Sequence, residues 1–98
     1  TGEVDVFVLI VDIKVKSGRE QEAEKTYREP FRPAILAQPG FVSVEFLRPL
    51  EGGDHALIIA FESQAMQQAW VATDLHTKVW SQMQANFDSF SVRTFTAI

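Results

Sequence analysis

Two histidines carry most of the acid–base potential of this chain, and one of them stands among aromatic residues. His76 follows Trp70 and precedes Trp80 in the stretch WVATDLHTKVW. An imidazole titrates near neutral pH. There it can take a proton from a phenol or an enolisable carbon acid and leave an electron-rich anion. The plainer alternative is a helix-start histidine, open to solvent or paired with Asp74 or nearby backbone. Trp70, Trp80, Phe46, Phe61 and Phe31 offer flat apolar surface suited to the walls of a pocket for an aromatic ligand. Stripes of this kind also pack simply as core.

Arg48, beside Pro49, offers a guanidinium to a substrate oxyanion, and more simply an ion pair at the surface or at a dimer seam. Glu62 and Asp12 read as solvated strand-end carboxylates. Glu45 is expected to face a dimer partner and pair across the seam. His55 follows a turn and is expected to be an exposed strand-start residue.

Other chemistries are excluded by what is missing. There are no cysteines, hence no thiolate metal sites, iron–sulfur clusters, disulfides or cysteine nucleophiles. Two histidines without HExxH-type spacing do not make a metal site. Gly52 and Gly53 have no lysine or helix start behind them as in a phosphate loop, so they read as turn glycines. The net charge is -4 and the basic residues are scattered. Nucleic acid is therefore not an expected partner. The longest wholly apolar run is VFVLIV, far short of the ~20 residues a membrane-spanning helix needs. No leader sequence is recognisable, and a soluble cytoplasmic protein is expected. The 98 residues are 46% hydrophobic and 22% charged, the size and composition of one small domain, 1–98.

These residues need elements to position them. VDVFVLIVDIKV, 4–15, is rich in β-branched residues and predicts a first strand, apolar on both faces. Ser17 and Glu20 have capping-box spacing. Ala23, Tyr27, Phe31, Ala34 and Ile35 then form a helical stripe. Pro30 and Pro33 inside it predict a kink near Glu29 or a break into two helices. Gln38, Pro39 and Gly40 stop the helix. FVSVEFLRP predicts a second strand, with Val42, Val44 and Phe46 on one face and Phe41, Ser43, Glu45 and Leu47 on the other. EGGD is a hairpin signal and HALIIAF the returning strand. Ser63 is a cap for a second helix with Met66, Ala69 and Trp70 buried. Thr73 and Asp74 start a third, with a stripe of Leu75, Val79, Met83 and Phe87. SFSVRTFTAI, alternating, predicts the last strand.

The order β-α-β-β-α-β predicts an α+β fold of the ferredoxin-like sandwich type: a four-stranded antiparallel sheet with its helices on one face. The other face has no cover within the chain, yet the first and third strands are apolar on both sides. A face of that kind would be sticky in water. A second copy, sheet against sheet, is the simplest lid, so a homodimer is expected.

AQPGFVSVEFLRP, LIIAFES and QQAWVATDLHTKVW together resemble the antibiotic biosynthesis monooxygenase family, over nearly the whole chain. The resemblance implies a dimeric α+β barrel. It implies a cofactor-independent monooxygenase acting on a small quinol- or anthrone-like aromatic, in which the substrate anion passes an electron to oxygen without metal or flavin. His76 would be the base, and Trp70, Trp80, Phe46, Phe61 and Arg48 the substrate-binding residues. No metal and no cofactor are expected. The alternative is a non-catalytic dimer that binds a small apolar ligand.

Haem degradation, also found in the family, is disfavoured. Those members pair an asparagine on the first strand with a tryptophan on the second helix and a histidine ten residues on. Here Trp70 fits, but Val11 and Trp80 stand at the other two positions. Many quinol-type members carry a histidine where Trp70 stands and another where Leu75 stands.

Overall fold

The computed structural model describes residues 6–98. Its order is β1 (Val6–Val15), α1 (Glu20–Thr26), a π-helical stretch (Tyr27–Phe31), α2 (Arg32–Leu36), β2 (Phe41–Leu47), β3 (His55–Phe61), α3 (Gln64–Val71), α4 (Asp74–Gln84) and β4 (Phe87–Ala97). The strands form one antiparallel sheet in the order β2-β3-β1-β4. This is the ferredoxin-like α+β fold expected from the pattern. Residues 4 and 5 of the expected first strand lie outside the described residues.

The first helical segment changes its hydrogen-bond spacing rather than breaking. Pro30 and Pro33 cannot donate to the carbonyls four residues before them. The hydrogen-bond ladder widens to the π spacing over Tyr27–Phe31, while the junction residues Thr26, Tyr27, Phe31 and Arg32 all stay right-handed helical. Tyr27, Phe31, Ala34 and Ile35 thereby stay on one buried face.

Ser17 does not cap this helix. Arg19 is the N-cap, without a side-chain cap bond, because Gly18 at φ +84° turns the chain and the Arg19 amide donates to the Lys16 carbonyl. The end is secured instead by Asn86, 2% exposed, whose Oδ1 accepts from Nε and Nη2 of Arg19 at 2.9 and 2.7 Å. The two later caps form as expected. Ser63 Oγ accepts from the Met66 amide at 3.2 Å, and Thr73 Oγ1 from the His76 amide at 3.0 Å.

Alternation places Leu9, Val11 and Ile13 of β1 and Leu57, Ile59 and Phe61 of β3 toward the helices. The register shift between Phe41 and Ser43 in β2 corrects the expected faces of that strand. Phe41 joins Val44 and Phe46 against the core, and Val42 is exposed.

Four helix positions also differ from expectation. Met66, Ala69 and Leu75 are exposed, while Gln67 is buried beside Trp70. Phe87 is buried but opens β4, two residues before the expected start of that strand. His55 is buried, not exposed, with its ring tilted at 35° against Phe46 and the centroids 5.1 Å apart.

No described element covers the opposite sheet face. One row across it runs Glu45, Ile58, Ile10, Arg93; the next runs Ser43, Ala60, Val8, Phe95. Glu45 is exposed on this face, and Arg93 donates from Nε to Asp12 Oδ2 at 3.0 Å. Among the described residues, no helix is long and apolar enough to cross a membrane.

Candidate active site

Between the sheet and its helices lies a cavity of about 210 Å³. Its floor is the centre of the sheet: Leu9 and Val11 of β1 and Leu57 and Ile59 of β3. These are aliphatic because an interior strand covered by helices must be. Phe31 closes one end. Gln67, Trp70 and Val71 come from α3, and His76 and Trp80 from α4. The open side is rimmed by Val71, Phe90 and Val92, which remain 43%, 38% and 49% exposed.

Local structure fixes the imidazole of His76. The Thr73 cap starts α4 so that His76 falls on its first turn. The imidazole then stands edge-on to Trp70, with ring centroids 5.0 Å apart at 89°. It lies nearly parallel to Trp80 at 6.3 Å and 13°. Trp80 is braced in turn by edge contacts with Phe87 at 5.7 Å and Phe90 at 5.4 Å. Burial among these rings pushes the His76 pKa below its ordinary value. The positive end of a helix disfavours an imidazolium as well. At neutral pH the ring is therefore held in its proton-accepting form.

Gln67 was not among the residues singled out by sequence. It is 9% exposed and lines the cavity one turn before Trp70. Among the described residues no side-chain hydrogen bond engages its amide. A buried amide with spare donors and acceptor beside an apolar cavity is equipped to meet a ligand oxygen. The signal was present in the sequence: an uncharged amide three residues before a buried tryptophan lies on the same helix face.

The cavity brings His76, Trp70, Trp80 and Phe31 together. Phe46, Phe61 and Arg48 stand elsewhere. Phe61 is fully buried at the end of β3, edge-on to Phe41 at 6.0 Å. Phe46 is wedged between His55 and Tyr27, 5.1 and 5.2 Å from their rings. Arg48 donates from Nε and Nη2 to both carboxylate oxygens of Glu24, at 2.8 and 2.6 Å, and His55 Nε2 lies 3.1 Å from the same carboxylate. The Arg48 guanidinium, with His55 beside it, pulls Glu24 down to about 2 against the opposing pull of burial. This cluster ties α1 to the β2–β3 hairpin and shares no residue with the cavity wall. Among the described residues, no three His, Asp or Glu side chains converge as a metal-binding group.

In solved structures the same fold recurs. SnoaB, a cofactor-independent oxygenase from Streptomyces nogalater, is 19% identical, with TM-score 0.85 over 96% of this chain and 94% of that one. A proposed antibiotic biosynthesis monooxygenase from Caulobacter crescentus CB15 is 14% identical, with TM-score 0.85 over 97% and 92%. A conserved protein from Methanosarcina mazei Go1 is 11% identical, with TM-score 0.83 over 94% and 92%. At these identities the likeness is one of fold. No curated protein matches the sequence significantly. The family model described as antibiotic biosynthesis monooxygenase matches residues 6–82, most of the chain. The chain belongs to the antibiotic biosynthesis monooxygenase family.

Proposed function

We propose that the protein is a cofactor-independent monooxygenase of small phenolic or quinol-like aromatics, working as a homodimer. The observation that carries this reading is a neutral-biased imidazole set between two indoles on the wall of an apolar cavity. A dry cavity of ~150 Å³ accepts benzene, so about 210 Å³ suits one or two fused rings.

The chemistry runs as follows. His76 accepts the proton of an acidic C–H or O–H, giving a delocalised carbanion or phenolate. The anion gives one electron to dioxygen, and the radical pair combines to form a C–O bond. The resulting peroxide takes the proton back from the imidazolium. Loss of water across the C–H/O–OH pair leaves a carbonyl, so a CH₂ group plus O₂ becomes C=O plus water. Trp70 and Trp80 hold the ring plane, the apolar walls exclude water, and the Gln67 amide donates to the oxygen on which charge develops.

The open sheet face supports the dimer. Val8, Ile10, Ile58 and Phe95 are only half-buried in a single chain. The row Glu45–Ile58–Ile10–Arg93 carries an acid at one edge and a base at the other. That is the self-complementarity a two-fold interface requires.

The test is oxygen uptake with a panel of hydroquinones and anthrones. Turnover that drops at least about 100-fold in His76→Ala is expected from the loss of a general base. No uptake with any member, or an unchanged rate in His76→Ala, overturns the reading. One observation favours a non-catalytic binding dimer instead: among the described residues, no side-chain partner fixes the tautomer of His76. Ligand-induced thermal stabilisation without oxygen uptake would decide for it.

A further inference from the structure

A second apolar recess lies on the far side of Trp70. It has a volume of about 290 Å³ and is lined by Gln38, Pro39, Met66, Ala69, Trp70 and Thr73. Among the described residues, Trp70 alone borders both this groove and the inner cavity.

The geometry of α3 accounts for that. Met66 and Ala69 lie along one stripe, with Thr73 just past the helix end, and Gln67 and Val71 lie along the next. Trp70 stands on the line between the stripes. Its ring is 2% exposed and braced edge-on by His76 at 5.0 Å and Phe31 at 6.3 Å. Thr73 Oγ1 donates to its carbonyl at 2.8 Å, which closes the helix end behind it. One indole thus forms a partition between two apolar spaces. Without it they become a single site more than twice the size of the inner cavity.

We infer that Trp70 sets the length of aromatic ligand that the protein takes, and that the groove behind it is a latent subsite for one further fused ring. This rests on the reading of the inner cavity as an aromatic site. With Trp70 in place, a third ring can only project past the rim at Val71, Phe90 and Val92, where it gains little burial. With the partition gone, that ring enters the groove beside Ala69 and Met66, and its apolar surface leaves water.

Affinities of 2-naphthol and 2-anthrol, measured without oxygen by fluorescence titration, test the inference. In the unaltered protein the third ring is expected to change affinity by no more than about threefold. In Trp70→Ala it is expected to improve affinity about tenfold or more. Adding Ala69→Leu to Trp70→Ala, which fills the groove and not the inner cavity, is expected to return the ratio to its original value. Trp70→Phe, a milder change, is expected to give about a threefold gain, and it decides the matter if Trp70→Ala does not fold.

If 2-naphthol binds but the ratio stays within twofold in the folded Trp70 variants, the partition is overturned and the aromatic site stands. A gain that survives Ala69→Leu also overturns it, because the ring is then not in the groove. If the unaltered protein binds neither probe, the aromatic site itself fails and the partition with it.

Discussion

The imidazole of His76 meets the indole of Trp70 edge to face, 5.0 Å between centroids and 89° between planes. These two residues belong to different helices, and the Thr73 cap between them sets their approach.

Thr73→Ala therefore acts on stability and chemistry together. Loss of the cap costs about 1 kcal/mol. Because the first turn of α4 then frays, His76 loses its fixed place. A drop of about tenfold in turnover is expected, with KM changing less. Denaturant titration checks the first effect and steady-state oxygen uptake the second. Thr73→Ser should restore both.

On the proposed mechanism, the pH dependence of turnover reports the half-buried setting of His76. His76 has a lowered pKa in the fold, so its neutral form persists below the pH at which a free imidazole is half protonated. The expected profile of kcat/KM is flat at neutral pH and falls only on the acid side of 6.5, the ordinary value. A midpoint at or above that value would mean an open, solvated ring.

Glu24 predicts acid sensitivity of the fold. Its pKa is depressed from 4.5 to about 2 in the native state. The unfolded chain thus binds more protons between those values, and stability must fall as pH drops through that window. Above pH 4.5 the contribution is complete. Glu24→Gln should remove this acid dependence and lower stability by about 1–3 kcal/mol, since it strips Arg48 and the buried His55 of their shared acceptor. Urea unfolding at a series of pH values measures both.

Gln67→Leu separates binding from folding. The leucine keeps the volume and removes a buried amide that no side chain engages, so thermal stability should hold or rise slightly. Affinity for an oxygen-bearing aromatic should fall about tenfold, the worth of one hydrogen bond, while affinity for the parent hydrocarbon stays the same. Calorimetric titration with 2-naphthol and naphthalene distinguishes the two.

Ile10→Lys places a charge in the middle of the open sheet face. Sedimentation should show a dimer for the original chain and a monomer for the variant at micromolar concentration. A lone original chain at that concentration would remove the dimer from the proposal.

Much of this arrangement could be read from residue types. The four strands followed from residue type and alternation, the two later helix starts from Ser63 and Thr73, and the irregular helix from Pro30 and Pro33. What escaped was set by contacts between distant segments. His55 looked like a surface residue because its partner Glu24 lies 31 positions away. The same partner draws Arg48 away from the cavity. The bulge in β2 reversed the expected sides of Phe41 and Val42, and no residue type there announces it. Gln67 escaped because a polar side chain on a helix is normally read as solvent-facing, although its spacing from Trp70 puts the two on one helix face.

The knot of Glu24, Arg48 and His55 fastens the first helix to a hairpin without touching the wall of the inner cavity. A lineage is thus free to exchange aromatic and amide residues around His76 one at a time, retuning what is recognised, while the attachment that keeps the chain folded is inherited intact.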